Sequence, residues 1–512
     1  MADGYDVVIA GAGVGGLTAA SLLAKAGMKV LILERLERVG GCCSNYDHNG
    51  FRPEVGAVFV IGREFYYKLF ELLELRLEDY LDFMLIDPVY HVYLHDGREF
   101  PLPRSVDEAA EVVGRISPRD KDNFHRYCSD MDKIFRAYLA FLADPMPELS
   151  EVPRLSRLAK RVMKKEVLAA VPVNARLALR NLDKVVRSYF SDEYVQLLFG
   201  WENMYAGLPA HRCTGLFALI SYLGRVGYYY PRGGMISIPL ALKKIAESFG
   251  AEVRTGSEVK RITTAGGEVK GVELVDGEVI TSRRVVSNVH SRITYLKLVG
   301  EEMLPGWAAR TIRNQPCSIP APVFHLGLKE KRDDIKAHMS LYATPRKQFD
   351  GIWEDFYDRG LLYRPGDGAY MIITPTYDDP SLAPPGKQVM SVIYIAPYEL
   401  RYHRWDDIAE EWAWEVVSFL DRKIFPGLEG QVEWLDSVSP MELERRLNVA
   451  EGAFFGLEMS LSNMGPFRPG YRSRLVKGLY LVGQCTNPGL GVPGAMISGI
   501  ATSALMLNDG LK

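Results

Sequence analysis

Gly11, Gly13 and Gly16 stand in a Gly-x-Gly-x-x-Gly run, and Glu34 follows 18 residues after the last of them. These residue types at this spacing suit one chemistry. Gly11 permits a tight turn, Gly13 lets the backbone approach a pyrophosphate, and Gly16 lets a helix pack close to a strand. The Glu34 carboxylate can accept hydrogen bonds from a ribose diol. The pattern therefore points to a dinucleotide, and by itself leaves FAD and NAD both open. A second glycine-rich stretch lies near the other end, at Gly489, Gly491 and Gly494, with Pro493 among them.

The elements needed to hold these residues are legible around them. Residues 5–10 read as a buried strand, 17–26 as an Ala/Leu-rich helix closed by Gly27, and 29–33 as a second strand ending at Glu34. Strand, glycine turn, helix, strand and acid come in the required order. A helix starting at the turn offers free N–H groups and a positive dipole end to phosphates. Near the C-terminus, residues 478–484 read as a short strand and 495–507 as a helix of small and apolar residues. Pro493 sits where that helix begins, a favoured place for proline. Its positive end would face whatever occupies the cleft.

Further motifs carry a family resemblance. Gly40-Gly41 lies just past Glu34 and precedes Phe51-Arg52-Pro53-Glu54-Val55-Gly56. Tyr230-Pro231-Arg232-Gly233-Gly234-Met235 is similar to a central Tyr-Pro-x-Gly-Gly-Met, and residues 379–386 to an Asp-Pro-Ser-x-Ala-Pro-x-Gly. Val285-Val286-Ser287-Asn288 matches a strand end. With both termini, these motifs make the chain resemble the phytoene desaturase family of FAD oxidoreductases, which includes carotenoid desaturases, carotenoid isomerases and retinol saturases. The resemblance runs from residue 5 to residue 507.

The resemblance implies an α/β fold: a Rossmann-type FAD-binding domain interleaved with an α+β substrate domain, as in amine oxidases and phytoene desaturases. It also implies a set of FAD-binding residues. At the N-terminal end these are Gly11, Gly13, Val14, Gly15, Gly16, Glu34 and Arg35, then Gly40, Gly41, Cys42, Gly56 and Ala57. Val259 would touch the adenine. Gly483, Gln484, Gly491, Val492, Pro493, Ala495 and Met496 would close the flavin end. There, the helix dipole would favour the anionic reduced flavin. Two departures bear on the direction of the redox reaction. Cys42-Cys43 stands where many desaturases have arginine, an arrangement more like the retinol saturases. Pro53-Glu54-Val55 replaces the usual aromatic–Asp step.

At 512 residues the chain is too long for one ordinary core, and 47% hydrophobic with 24% charged residues is a globular profile. The expected organisation is an FAD lobe from 1–75, 230–295 and 445–512, with a substrate lobe from 76–229 and 296–444. Strands are expected within 80–100, 321–328, 370–375 and 389–396, and a helix over 407–425. The six cysteines show no Cys-x-x-Cys and no zinc-ligand spacing, so no metal site is expected. A net charge of −3 gives no polyanion-binding bias, and no nucleic-acid partner is expected.

The stretch 154–170 reads as a basic amphipathic helix. Leu155, Leu158, Ala159, Val162 and Met163 lie on one face, and Arg154, Arg157, Lys160, Arg161, Lys164 and Lys165 on the other. Between Arg154 and Arg187 there are ten basic residues and two acids. Such a helix suits a membrane surface, or else a solvated face over a lobe core. No signal peptide is read at Met1-Ala2-Asp3-Gly4, and no run reaches about 18 apolar residues. The expected location is cytoplasmic and peripheral to a membrane.

Hydride loss from an allylic carbon to flavin calls for positioning and exclusion of water, and no nucleophilic triad is visible. No catalytic acid or base is assigned. His48, Arg52, Glu54, Trp201, Glu202, Tyr205, His211 and Arg232 lie near motifs, and Tyr228-Tyr229-Tyr230 suits either a tunnel wall or a core. The leading expectation is desaturation of an apolar isoprenoid or carotenoid. A saturase, a cis–trans isomerase, a squalene-type dehydroxylase, an amine oxidase and a prenyl-lipid escort protein are the alternatives. The sequence leaves the oligomeric state and the electron acceptor open.

Overall fold

In the computed structural model, residues 4–142, 164–489 and 491–510 are described. The basic stretch expected over 154–170 lies outside them up to residue 163. From Lys165 to Ala178 the chain is helical.

A five-stranded sheet anchors the glycine turns. Its order is Leu479–Leu481, Val285–Ser287, Val7–Ala10, Val30–Leu33, Glu252–Arg254, and every pairing is parallel. The strands Val7–Ala10 and Val30–Leu33 are buried at every position. Parallel strands covered on both faces need no polar side, which is why Val-Val-Ile-Ala and Val-Leu-Ile-Leu show no alternation. The sheet draws its strands from three separated stretches of the chain.

The helix after the first strand is Val14–Lys25, so it begins three residues before the start expected from the Ala/Leu run. Gly13 is its N-cap, and no side chain caps it. The C-terminal helix is Gly491–Gly510, beginning before Ala495 for a similar reason: the Gly/Pro loop is already wound into its first turn. These two helices pack closely. A Cβ at Gly499 would lie 2.7 Å from the Gly15 carbonyl oxygen, so only glycine fits there.

A second, seven-stranded sheet has the order Val432–Val438, Val323–Leu328, Gln388–Ile393, Tyr370–Ile373, Met339–Ala343, Tyr90–Leu94, Glu99–Leu102. It is antiparallel except where Met339–Ala343 meets Tyr90–Leu94. The expected strands of the substrate region fall in it, with one difference. Phe83–Ile86 instead pairs with Tyr228–Pro231, which also pairs with Val60–Ile61. The tyrosine run is thus a strand, and it bridges the N-terminal segment to the middle of the chain. The helix expected over 407–425 is Trp405–Lys423. Among the described residues, no helix is long and apolar enough to cross a membrane.

Candidate functional site

The two glycine turns meet at one place. Gly13 and Gly40 form a parallel bridge, and the Gly40 N–H donates to the Ala12 carbonyl at 2.8 Å. Gly11, Gly40 and Gly41 all have positive φ, at 98°, 115° and 57°. A Cβ on Gly16 would sit 2.3 Å from the Gly11 carbonyl, so the helix seats directly on the turn. A Cβ on Gly13 would come within 2.4 Å of the Asn288 amide nitrogen. The cradle is therefore shaped by missing side chains, and the uncapped first turn of Val14–Lys25 opens onto it.

Glu34 ends the second strand at the rim of this cradle. Its Oε2 accepts the Ala12 N–H at 2.8 Å and its Oε1 accepts the Leu36 N–H at 2.9 Å. Burial raises its pKa, and these backbone donors oppose the rise. The carboxylate is thereby fixed in place, with acceptor capacity remaining on each oxygen. Arg35 donates to the Arg446 carbonyl at 2.8 Å.

The C-terminal loop closes the opposite wall. The Ser498 hydroxyl accepts the Gly483 N–H at 2.7 Å and donates to the Ala495 carbonyl at 2.6 Å, tying turn to helix. Beneath the loop lies the buried Arg468, whose guanidinium donates to the carbonyls of Gln484 at 2.6 Å, Thr486 at 2.9 Å, Asn463 at 3.1 Å and Leu457 at 3.3 Å. Burial lowers its pKa to about 10. Cys485 faces the cleft from this loop. Burial acts to raise its pKa, but His290, the Ser291 N–H and Arg468 outweigh burial and bring the thiol down to about 7. Cys42 faces the same cleft and is pushed up to about 11 by burial and by Cys485.

One cavity joins these walls, and its unfilled space is about 1960 Å³ with its mouth included. It is lined by Gly11, Gly13, Val14, Gly15, Glu34, Arg35, Gly40, Gly41, Cys42, Gly56 and Ala57 from the first part of the chain. Val259, Gly483, Gln484, Gly491, Val492, Pro493 and Ala495 complete the lining among the residues expected to bind FAD. Two expected residues do not line it. Gly16 packs against the Gly11 carbonyl, and the Met496 side chain is fully buried in the core. On a helix, consecutive positions point about 100° apart, so Ala495 and Met496 face different surroundings.

The nearby polar candidates divide in the same way. Tyr205 and Tyr228 line the cavity. His48 stacks on Trp434, His211 is exposed, and Arg52 and Arg232 form exposed ion pairs with Asp47 and Asp82. Glu54, Trp201 and Glu202 are buried without lining the cavity. Asn288 was legible only as a strand end. It lies on the cavity wall and touches the Cβ positions of Gly11, Gly13, Gly15 and Gly483. The signal for it was register: Ser287 pairs with Ala10, which places Asn288 beside Gly11.

Away from the glycines the cavity becomes apolar and aromatic. Phe59 stacks on Tyr228 at 4.5 Å between ring centroids, and Phe455 meets Tyr205 edge-on at 5.5 Å. Ile220, Met371 and Ile393 line the same space. The cradle without Cβ atoms, the fixed acid and the two helix starts fit an FAD.

Comparison with known proteins agrees with this geometry. The family model described as flavin containing amine oxidoreductase matches residues 14–507. The chain is 28% identical to a zeta-carotene-forming phytoene desaturase of Myxococcus xanthus, covering 98% of this chain and 94% of that one. It is also 28% identical to a lycopene-forming phytoene desaturase of Pantoea ananas, covering 98% and 99%. Among solved structures, cyclohexylamine oxidase from Brevibacterium oxydans superposes with a TM-score of 0.60 at 15% identity, covering 99% of this chain and all of that one. That likeness is one of fold.

Proposed function

The chain belongs to the family of flavin containing amine oxidoreductases and is an FAD-dependent oxidoreductase; within that family we propose that it desaturates an apolar isoprenoid or carotenoid. The carrying observation is the continuity of the nucleotide cradle with an aromatic and aliphatic cavity arm. The charged residues of the lining, Glu34, Arg35, Glu258 and Arg446, belong to the cradle end. Arg35 bonds the Arg446 carbonyl, and the Ser257 N–H next to Glu258 bonds the Glu34 carbonyl. Among the described residues that line it, the arm offers a polyene an apolar surface and offers an ammonium group no carboxylate. The relatives described as phytoene desaturases support the same substrate class.

In this reading the backbone at Gly11–Gly15 and the start of Val14–Lys25 hold the pyrophosphate. Glu34 holds the ribose diol. The start of Gly491–Gly510 would hold the ring end of the cofactor, where a helix N-terminus favours negative charge. Bound flavin supplies the hydride acceptor. Phe59, Tyr228, Tyr205 and Phe455 orient the hydrocarbon and keep water out. The bounds 1–75, 230–295 and 445–512 for the cofactor lobe, and 76–229 and 296–444 for the substrate lobe, are part of the proposal.

So is delivery from a membrane surface, with a cytoplasmic, peripheral location. On the helix Lys165–Ala178 and just beyond it, Leu168, Val171 and Leu179 are 45%, 49% and 87% exposed. Lys165, Arg176 and Arg180 are exposed beside them. Apolar side chains flanked by cations suit an anionic headgroup layer.

The test is anaerobic. Purified flavin-loaded protein is mixed with phytoene in liposomes, and the flavin absorbance and the polyene spectrum are followed. Bleaching of the flavin together with a more conjugated product is expected. Turnover only after chemical reduction of the flavin would overturn desaturation in favour of saturation or isomerisation.

A further inference from the structure

Behind the C-terminal loop lies a full positive charge with no carboxylate to meet it. Arg468 is 3% exposed. Its guanidinium donates to the four backbone carbonyls of Leu457, Asn463, Gln484 and Thr486, and its Nη1 has the Met459 sulfur, a weak acceptor, at 3.2 Å. Among the described residues no acid forms an ion pair with it. The acids nearest to it in sequence are engaged elsewhere: the Tyr357 hydroxyl donates to Glu458 at 2.9 Å, and Arg292 pairs with Glu451. A buried cation is ordinarily matched by an anion, because carbonyl dipoles alone offset only part of its lost hydration.

Direct contacts fix this charge against the cavity wall. Gln484 and Cys485 line the cavity, and Arg468 bonds the carbonyls of Gln484 at 2.6 Å and of Thr486 at 2.9 Å, one on each side of Cys485. A Cβ on Gly489 would lie 3.5 Å from the guanidinium carbon, and a Cβ on Gly494 would lie 2.1 Å from the Gly489 carbonyl. Guanidinium, Gly489 and the first turn of Gly491–Gly510 are therefore stacked in contact, and Gly491, Val492 and Pro493 of that turn line the cavity. Cation and helix start stand on the same stretch of wall, and both present positive charge. Burial keeps water from screening the cation. With its pKa lowered to about 10, Arg468 is still charged at neutral pH. The ionisable group beside it is the Cys485 thiol, which is neutral below about 7.

We propose that Arg468 is the counter-charge for the reduced cofactor, acting through the wall at Gln484 and Cys485 and the Gly491 helix start to stabilise the negative charge that bound FAD gains on reduction. The proposal rests on the reading that the start of Gly491–Gly510 holds the ring end of FAD. Hydride uptake brings two electrons and one proton, so the cofactor gains one unit of negative charge. The substrate that gives up the hydride is one unit more positive until its neighbouring proton leaves. A cation already in place needs no reorganisation when that charge appears. Arg468 is not among the residues that line the cavity, so it touches neither substrate nor cofactor. It is a positioning residue that sets how readily the cofactor is reduced.

The experiment compares wild type, Met459→Gln, Met459→Glu, Arg468→Gln and Arg468→Lys as flavin-loaded proteins at about pH 6, where Cys485 is a neutral thiol. Two readouts need no lipid: the midpoint potential of the bound flavin, and the affinity for sulfite, whose sulfur lone pair bonds to the oxidised ring and leaves the ring negatively charged. Met459→Glu sets a carboxylate beside Nη1 and cancels the charge while the arginine stays in its cage, and the guanidinium keeps that carboxylate ionised. Met459→Gln changes the same side chain without adding charge. Met459→Glu and Arg468→Gln should each bind sulfite about tenfold more weakly or worse, and each should lower the potential by about 30 mV or more, the equivalent of tenfold for a two-electron couple. Met459→Gln and Arg468→Lys, which keep the charge, should stay within about threefold of wild type. Wild-type values in Met459→Glu would overturn the proposal, including where Arg468→Gln fails to hold FAD. So would equal shifts in Arg468→Lys and Arg468→Gln, which would assign the effect to the hydrogen-bonded cage and not to the charge. Alkylation of Cys485 in wild type, with and without FAD, separates the two possible failures. No protection by FAD would overturn the placement of the ring end, whereas protection together with unshifted charge variants would overturn the role of Arg468 alone.

Discussion

The substitution Gly13→Ala separates two jobs that one glycine performs. A Cβ there would stand 2.4 Å from the Asn288 side-chain nitrogen, against 3.4–4 Å for ordinary contact. Overpacking of this kind costs about 1–3 kcal/mol, enough to lower the melting temperature by a few degrees. The same methyl group occupies the surface that faces the proposed pyrophosphate. A loss of about 1.4 kcal/mol there is a tenfold loss of affinity. Asn288→Ala removes the clashing atoms, so the double variant Gly13→Ala/Asn288→Ala should recover stability relative to Gly13→Ala alone. It should not recover FAD affinity, because the methyl group remains at the cradle. The assay is a double-mutant cycle read twice, by thermal unfolding and by FAD titration of the stripped protein. A double variant that binds FAD as tightly as Asn288→Ala would refute the reasoning, since the pyrophosphate would then not approach Gly13.

Two further outcomes follow from buried titratable groups. Burial raises Glu54 to about 8, against hydrogen bonds from the Tyr230 hydroxyl and the Met235 N–H. Between about 4.3, the unfolded value, and 8 the folded chain holds a proton that the unfolded chain has released, so stability falls as pH rises through that window. Glu54→Gln mimics the protonated acid, and its urea midpoint should fall less than that of wild type between pH 5 and pH 8.5; parallel losses would exclude Glu54 as the source. Cys485, brought to about 7, should be alkylated in the stripped protein with a rate that rises through pH 7, well before Cys42, which is held near 11. Added FAD should protect Cys485, and labelling indifferent to FAD would place the cofactor away from that wall.

The N-terminal unit was legible because its constraints are local. A turn that needs positive φ at Gly11, a helix seated on Gly16 and an acid one strand later are set by neighbours within about thirty residues, and each demands a particular residue type. The same holds for the C-terminal loop, where a Cβ on Gly494 would lie 2.1 Å from the Gly489 carbonyl. The start of each helix was misplaced because glycine and proline argue against helix interiors, while packing of Gly15 against Gly499 favours them here. The short sheet with Tyr228–Pro231 at its centre was not legible, since an aromatic run suits a strand, a tunnel or a core equally well.

Tertiary structure alone decided which polar residues matter. Asn288, Tyr205 and Glu202 are ordinary residues in sequence. Asn288 gains its place from the parallel register of Ser287 with Ala10 across 277 positions. Glu202 owes its raised pKa to burial, against the Ser221 hydroxyl and the Arg225 charge, which the fold brings from the helix Ala218–Val226. Sequence specifies backbone conformations that only one residue type tolerates. The charge state of a carboxyl depends on how much water and which dipoles surround it, and those are set by the packing of distant segments.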